Sequence, residues 1–181
     1  MITYGLSKTN NELKQILVLQ QANLPVGLTS EEKNREGFVT VHHDFHILKR
    51  MHDVFPHIIV KDGNDLIGYA LSMHPQFGNE IEVLKPMFKE IQESELSTSK
   101  FIVMGQICIS KAFRKKGVFR KLYATMAKET AKAFNYIITE VDAENQRSLQ
   151  AHLAIGFKQL KSYSSAGRTW ELIFLATEPY R

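Results

Sequence analysis

The run FIVMGQICI at 101–109 constrains the chain most, because it is short, apolar and rich in β-formers and so describes a buried strand. It is followed by KAFRKKGVFRK (111–121), which holds Lys111, Arg114, Lys115, Lys116, Arg120 and Lys121 and no acid. Val118, Leu122, Met126, Thr130 and Phe134 then recur four apart, the buried stripe of a long helix. Residues 136–141 (YIITEV) make a further strand. Strand, basic loop, helix and strand in this order assign the chain to the α/β class.

The flanking elements agree with that class. Thr9-Asn10-Asn11-Glu12 has the capping-box pattern, and Leu13, Ile16 and Leu17 follow at helical spacing, predicting a helix over about 10–23. Thr29-Ser30-Glu31-Glu32 is a second candidate cap, and Phe45, Leu48 and His52 suggest a short helix before Pro56 inside a loop. Residues 57–60 and 66–71 flank the turn-rich Lys61-Asp62-Gly63-Asn64-Asp65, which reads as a β-hairpin. From 80 to 95, Ile81, Leu84, Phe88 and Ile91 share a helical face that Pro86 kinks or shortens. Asn145 caps a helix closed by Gly156, and two strands in 157–176 surround Ser165-Ala166-Gly167.

At 181 residues without repeats or linkers, a single domain spanning 1–181 is expected. No stretch approaches the ~18 uninterrupted apolar residues of a membrane helix, and the first ten residues lack a basic start with an apolar run. A soluble, cytoplasmic protein with no membrane partner is expected. Cys108 is the only cysteine, which excludes an internal disulfide and a multi-cysteine zinc site. His42 and His46 stand at i, i+4, but with no HExxH and no cysteine cluster the expectation is no metal.

The formal net charge is +4, and the six basic groups of 111–121 exceed that whole excess. Backbone N–H groups at a helix start are unpaired and partly positive, so Gly117 followed by a helix near Val118 suits a phosphate or pyrophosphate. Neither a Walker A sequence nor the G-x-G-x-x-G fingerprint occurs. A solvated lysine-rich helix start is the bland alternative. Nucleic acid is the weakest, since such surfaces spread their charge or interleave it with exposed aromatics.

Arg114-Lys115-Lys116-Gly117-Val118-Phe119 fits the pattern [QR]-x-x-G-x-[GA] up to its last position, where Phe119 departs. Further on, Glu140-Val141-Asp142-Ala143-Glu144-Asn145 leads through Ser148 and His152 to Gly156-Phe157, an Asn-initiated helix ending in Gly-Phe after a strand. In both blocks residues 101–157 resemble the core of the GNAT superfamily of acetyl-CoA-dependent N-acetyltransferases, and the element order elsewhere resembles that fold coarsely. The resemblance implies a mixed sheet with splayed central strands and helices on both faces. It implies direct transfer of acetyl from acetyl-CoA to a primary amine of a small molecule or peptide in a ternary complex. A non-catalytic CoA-binding or interaction module stays open, as does a homodimer.

The resemblance also implies residue roles. Backbone N–H groups of Ile107 and Ile109, around Cys108, would hold the pantetheine arm, and one would polarise the thioester carbonyl. Residues 115–120 (Lys115, Lys116, Gly117, Val118, Phe119, Arg120) with Arg114 would hold the pyrophosphate. Asn145, Ser148 and His152 project from nearly one helix face and could touch one ligand. His152 stands where the family commonly has a tyrosine that protonates the thiolate, and it is open equally to a buried imidazole packed beside Leu149 and Leu153. Glu140 is the candidate base or else a paired buried carboxylate. Gln106 stands close to where some relatives carry an acidic base. Cys108 reads as a small core residue.

Overall fold

The computed structural model describes residues 1–23 and 42–180, and in it the 101–109 run is the central strand of a seven-stranded sheet. In chain order the elements are β1 (Ile2–Leu6), α1 (Asn10–Gln21), α2 (Phe45–Val54), β2 (Ile58–Asp62), β3 (Asp65–Met73), α3 (Lys85–Gln92), β4 (Phe101–Ile109), α4 (Val118–Thr130), β5 (Tyr136–Asp142), α5 (Gln146–Leu153), β6 (Lys158–Ser165) and β7 (Arg168–Ala176). The strand order is β1-β2-β3-β4-β5-β7-β6. β4 and β5 run parallel, joined through α4, and every other neighbouring pair is antiparallel.

Period-two alternation divides the core into two layers. Ile59, Tyr69, Leu71, Val103 and Ile138 pack with Leu13 and Ile16 of α1, Leu48 and Met51 of α2, and Met87 and Ile91 of α3. Ile58, Val60, Ala70, Ile102 and Ile137 point the other way, onto Val118, Leu122, Met126 and Ala127 of α4. The sheet is thus covered by helices on both faces.

Most elements lie where their patterns put them. Thr9 Oγ1 accepts from Glu12 N–H at 3.2 Å while the Glu12 carboxylate accepts from Thr9 N–H at 3.0 Å, so the capping box forms. The second half of the 157–176 hairpin turns on Ala166 and Gly167, with φ of +50° and +74°. Three points differ from those patterns. β1 was not foreseen: five residues with Gly5 inside make a weak signal, and pairing with β2 supplies what propensity does not. The 80–95 helix begins only at Lys85, after a 3-10 turn at Glu82–Leu84, because Pro86 fits a first helical turn but not an interior. α4 ends at Thr130, and Phe134 N–H folds back onto Thr130 O before Asn135 N–H joins Lys100 O at 2.7 Å. The candidate cap at Thr29 lies outside the described residues.

The consequential feature is where β4 and β5 stop pairing. They share only Phe101↔Tyr136, Ile102↔Ile137 and Val103↔Ile138. Beyond that, Thr139 Oγ1 donates to Met104 O at 2.9 Å, and the strands part. On the other edge of β4, Ser72 faces Met104 and Ala70 faces Ile107, so three steps of β4 match two of β3. That bulge at Gly105-Gln106 adds local twist and bends β4 away from its parallel neighbour.

Gly68 holds the β2–β3–β4 crossing tight: a Cβ there would sit 2.9 Å from Val60 Cγ1 and 3.1 Å from the backbone oxygen of Cys108. Gly68→Ala should therefore lower unfolding free energy by about 1–3 kcal/mol, as overpacking does, measured by urea denaturation.

Candidate active site

The parting of the strands leaves backbone donors without a sheet neighbour. Ser110 N–H donates to Ile67 O of β3 at 2.8 Å, and strand residues alternate the edge they face, so Ile107 and Ile109 turn their N–H groups into the gap. The gap is closed at its end by Arg114. Its Nε donates to Ile109 O at 3.0 Å and its Nη2 to Asn23 Oδ1 at 2.6 Å, tying the basic loop to β4 and to the residues after α1.

After Arg114 the loop turns through Lys115 at φ +60° and Gly117 at φ +77°. Gly117 is the N-cap of α4, which has no side-chain cap. The ladder begins with Lys121 N–H on Gly117 O at 3.2 Å, so the N–H groups of Val118, Phe119 and Arg120 precede it at the positive end of the helix dipole. A Cβ on Gly117 would meet nothing within 4 Å, so glycine serves here through its left-handed backbone and not through crowding.

These groups border a cleft of about 310 Å³. Of the sequence-derived candidates, Ile107, Cys108, Ile109, Arg114, Lys115, Gly117, Val118, Phe119, Asn145 and Ser148 line it. Lys116 and Arg120 do not: the Lys116 ammonium lies 5.5 Å from the centre of the Phe113 ring, and Arg120 Nη2 donates to Ala154 O at 3.1 Å. Arg147, not foreseen, adds a third basic side chain to the lining. The Cys108 thiol is pushed up to about 11 by burial, which suits a packed side chain and not a nucleophile.

A second cleft, of about 90 Å³, adjoins the first and shares Ile107, Asn145 and Ser148 with it. Glu140, Asp142, His152, Gln106 and Trp170 line it. Glu140 accepts a hydrogen bond from the Tyr163 hydroxyl, yet burial outweighs that bond and raises its carboxyl to about 7. Asp142 is buried and paired with Arg168 Nη1 at 2.7 Å. Tyr163 was invisible in the sequence, because β6 meets Glu140 only through the order β5-β7-β6.

His152 is 1 % exposed among the rings of Phe119, Tyr123 and Phe157. Its Nδ1 lies 2.7 Å from Ser148 O, an acceptor, so Nδ1 carries the proton. Its Nε2 then accepts from the Tyr123 hydroxyl at 2.7 Å. Burial pushes the imidazole down to about 4. Gln106 is likewise committed: its Oε1 accepts from Tyr69 OH at 2.6 Å and from Gln20 Nε2 at 3.1 Å, while Gln20 also holds the backbone N–H of His43 at 2.8 Å.

A model of the acetyltransferase (GNAT) family matches residues 16–157. The chain belongs to the GNAT family. It is accordingly an acyltransferase, and the uncapped helix start and splayed strands are this chain's form of the family's core. No curated protein matches the sequence. Solved structures similar to it include the ribosomal-protein-S18-alanine N-acetyltransferase of Escherichia coli (11% identity, TM-score 0.65, covering 98% of this chain and 94% of that one). Another is yncA of Salmonella typhimurium, a putative acetyltransferase solved with acetyl-CoA (13% identity, TM-score 0.65, 97% and 94%). A third is the spermidine N-acetyltransferase of Vibrio cholerae, solved with CoA and spermine (14% identity, TM-score 0.61, 99% and 97%). At these identities the likeness is one of GNAT fold. Among the described residues, no helix is long and apolar enough to cross a membrane.

The buried titrating groups act on stability in opposite senses. His43 and His152 are pushed down to about 4 and His57 to about 3 by burial, so the unfolded chain binds more protons between those values and about 6.5, and their contribution is lost as pH falls through that range. Glu140 has a raised value, so its contribution is lost as pH rises from about 4.5 to about 7. In Glu140→Gln that loss disappears: the variant should gain on the wild type, by on the order of 1–3 kcal/mol, between pH 4.5 and 7.5 in urea titrations.

Proposed function

We propose that the protein transfers an acetyl group from acetyl-CoA to a primary amine of a small molecule or peptide, by direct attack in a ternary complex. The observation that carries this reading is the meeting of two clefts of opposite character at Ile107, Asn145 and Ser148. The larger has Arg114, Lys115 and Arg147 and an uncapped helix start, which fit an anionic donor. The smaller has Glu140 and Asp142, which fit an amine that arrives as its cation.

Acetyl-CoA, when bound, supplies the acetyl group as a thioester whose C–S bond breaks as the amine's C–N bond forms, the sulfur leaving with the electron pair. The N–H groups of Val118, Phe119 and Arg120 receive the pyrophosphate, with Arg114 and Lys115 adding charge. Ile107 and Ile109 offer N–H groups along the gap, one of them to the carbonyl oxygen as negative charge develops there. Glu140 takes one proton from the incoming ammonium, a role for which a value near 7 is well matched at neutral pH. The nitrogen's second proton passes to the departing sulfur, so the products are amide and thiol, and Glu140 returns its proton to water.

His152 does not act as the acid in this scheme. Its single proton is held by Ser148 O and its other nitrogen is filled by Tyr123, so it fixes α5 against α4 and thereby orients Asn145 and Ser148. That is a positioning role at the place where the family commonly has its tyrosine.

Gly117→Glu places a carboxylate on the helix start in a left-handed backbone and should abolish measurable acetyl-CoA affinity by calorimetry. Gly117→Ala adds the strain alone and should weaken it less; unchanged affinity in Gly117→Glu overturns the donor site. Glu140→Gln should lower kcat about 10²-fold or more with donor affinity retained, and should remove the rise in wild-type kcat/KM with pH through about 7. Donor binding without thiol release for any amine would favour a non-catalytic CoA-binding module.

A further inference from the structure

We infer that Tyr163, on the edge strand β6, is a positioning residue for Glu140: its hydroxyl holds one carboxylate oxygen, leaves the other for the amine's proton, and so sets the pH above which Glu140 works as the base. The inference rests on the acetyl-transfer reading and deepens it, since it concerns how the base is made ready and not what the acceptor is.

The order of the sheet supplies the contact. Strand pairing puts Glu140 of β5, Leu172 of β7 and Lys161 of β6 in one row, and Asp142, Trp170 and Tyr163 in the next. Tyr163 therefore reaches Glu140 diagonally across β7, and its hydroxyl donates to Glu140 Oε2. Among the described residues this is the one hydrogen bond that the carboxylate accepts, so Oε1 is left for the cleft that Glu140 lines. Tyr163 is half-buried, and of the described residues that line the two clefts it is not one. It acts on the amine through Glu140 and not by touching it.

A neutral donor is what this carboxylate requires. Burial favours its protonated form, and the bond from Tyr163 favours the ionised one. A cation in place of Tyr163 would drive the carboxyl back to the ordinary range or below it, where it takes a proton from an ammonium poorly. Lys161 stands in the row of Glu140 and on the same face of β6 as Tyr163, yet its ammonium is paired with Glu90 of α3. Arg168 of β7 is paired with Asp142 of β5 at 2.7 Å. His152 of α5 is neutral, with its two nitrogens engaged by Ser148 O and Tyr123. Tyr163 keeps its own proton, because burial, and then Glu140 and Glu90, push its hydroxyl above the usual phenol range. It stays a donor throughout the range in which Glu140 titrates.

Without Tyr163, burial acts on Glu140 unopposed, and the base enters neutral solution already protonated. The test is the pH profile of kcat/KM for thiol release from acetyl-CoA by the full chain, with 1,5-diaminopentane, an N-α-blocked lysine amide and alanine amide as the amines. The wild type should rise through about 7. In Tyr163→Phe the rise should move up by about one pH unit, as the loss of a hydrogen bond to a charged group implies. On the acid side kcat/KM then falls about tenfold and on the alkaline side by less, with acetyl-CoA affinity unchanged by calorimetry. Tyr163→3-fluorotyrosine keeps the shape and donates more strongly, so it should move the rise down, and it decides the matter should Tyr163→Phe not fold. A rise that stays in place in the folded variant, whatever the rate, overturns the inference and leaves acetyl transfer with Glu140 as its base. A rise that persists in Glu140→Gln overturns the base and the inference with it. Acetyl-CoA binding with no transfer to any of the three amines overturns the inference and the acetyl-transfer reading together.

Discussion

Everything chemical in this molecule depends on β4 and β5 ceasing to pair after three residues. Strands in the middle of a sheet normally exhaust one another's backbone donors. Here the bulge at Gly105-Gln106 lets β4 keep β3 while leaving β5, so the N–H groups of Ile107 and Ile109 stay available deep in the fold. Both clefts open from that one separation, and the residues they share, Ile107, Asn145 and Ser148, mark the place where the two meet. A parallel pair suits the purpose, because its members are joined by a helix whose start then lies beside the open end.

The two buried hydrogen-bond systems near the gap have separate tasks. Tyr123, His152 and Ser148 O form a short chain between α4 and α5, all within apolar surroundings where an unpaired nitrogen would be costly. Gln20, His43, Gln106 and Tyr69 form the second, which fixes the bulge from the α1 side. Neither is poised to release a proton: both contain a histidine pushed down to about 4, and Tyr69 and Tyr123 are pushed up by burial. Glu140 differs in that burial brings it toward neutrality and not away from it.

The basic loop and the helix start were legible because they are local. Gly117 and the stripe Val118, Leu122, Met126 announce themselves within a few residues, and the helix after Asn145 is capped by its own side chain, with Ser148 N–H 3.2 Å from Asn145 Oδ1. The use of His152 was not legible. Its spacing from Asn145 was correct, but its partner Tyr123 lies on another helix, 29 residues earlier, just off the stripe that drew attention. Trp170 and Tyr163 were hidden for a similar reason: the order β5-β7-β6 brings them to Glu140, and order is a property of the whole sheet. β1 shows the limit from the other side, since a short edge strand takes its structure from β2 and carries little signal of its own.

The bulge also reverses parity within a single strand. Before it, the even-numbered Ile102 and Met104 face α4; after it, the odd-numbered Ile107 and Ile109 do, and Cys108 joins Val103 on the opposite side. Pair β4 with β3 regularly, without the bulge and at the same length, and the loop motif, the helix and the composition all survive, yet every residue from 107 to 109 exchanges faces relative to the first half of β4. Ile107 and Ile109 would then turn toward α1, and their N–H groups would be spent on β3. Such a chain would still carry every residue of the motif while its backbone donors pointed out of the gap, so the phase of the strand, as much as any side chain, determines whether the site exists.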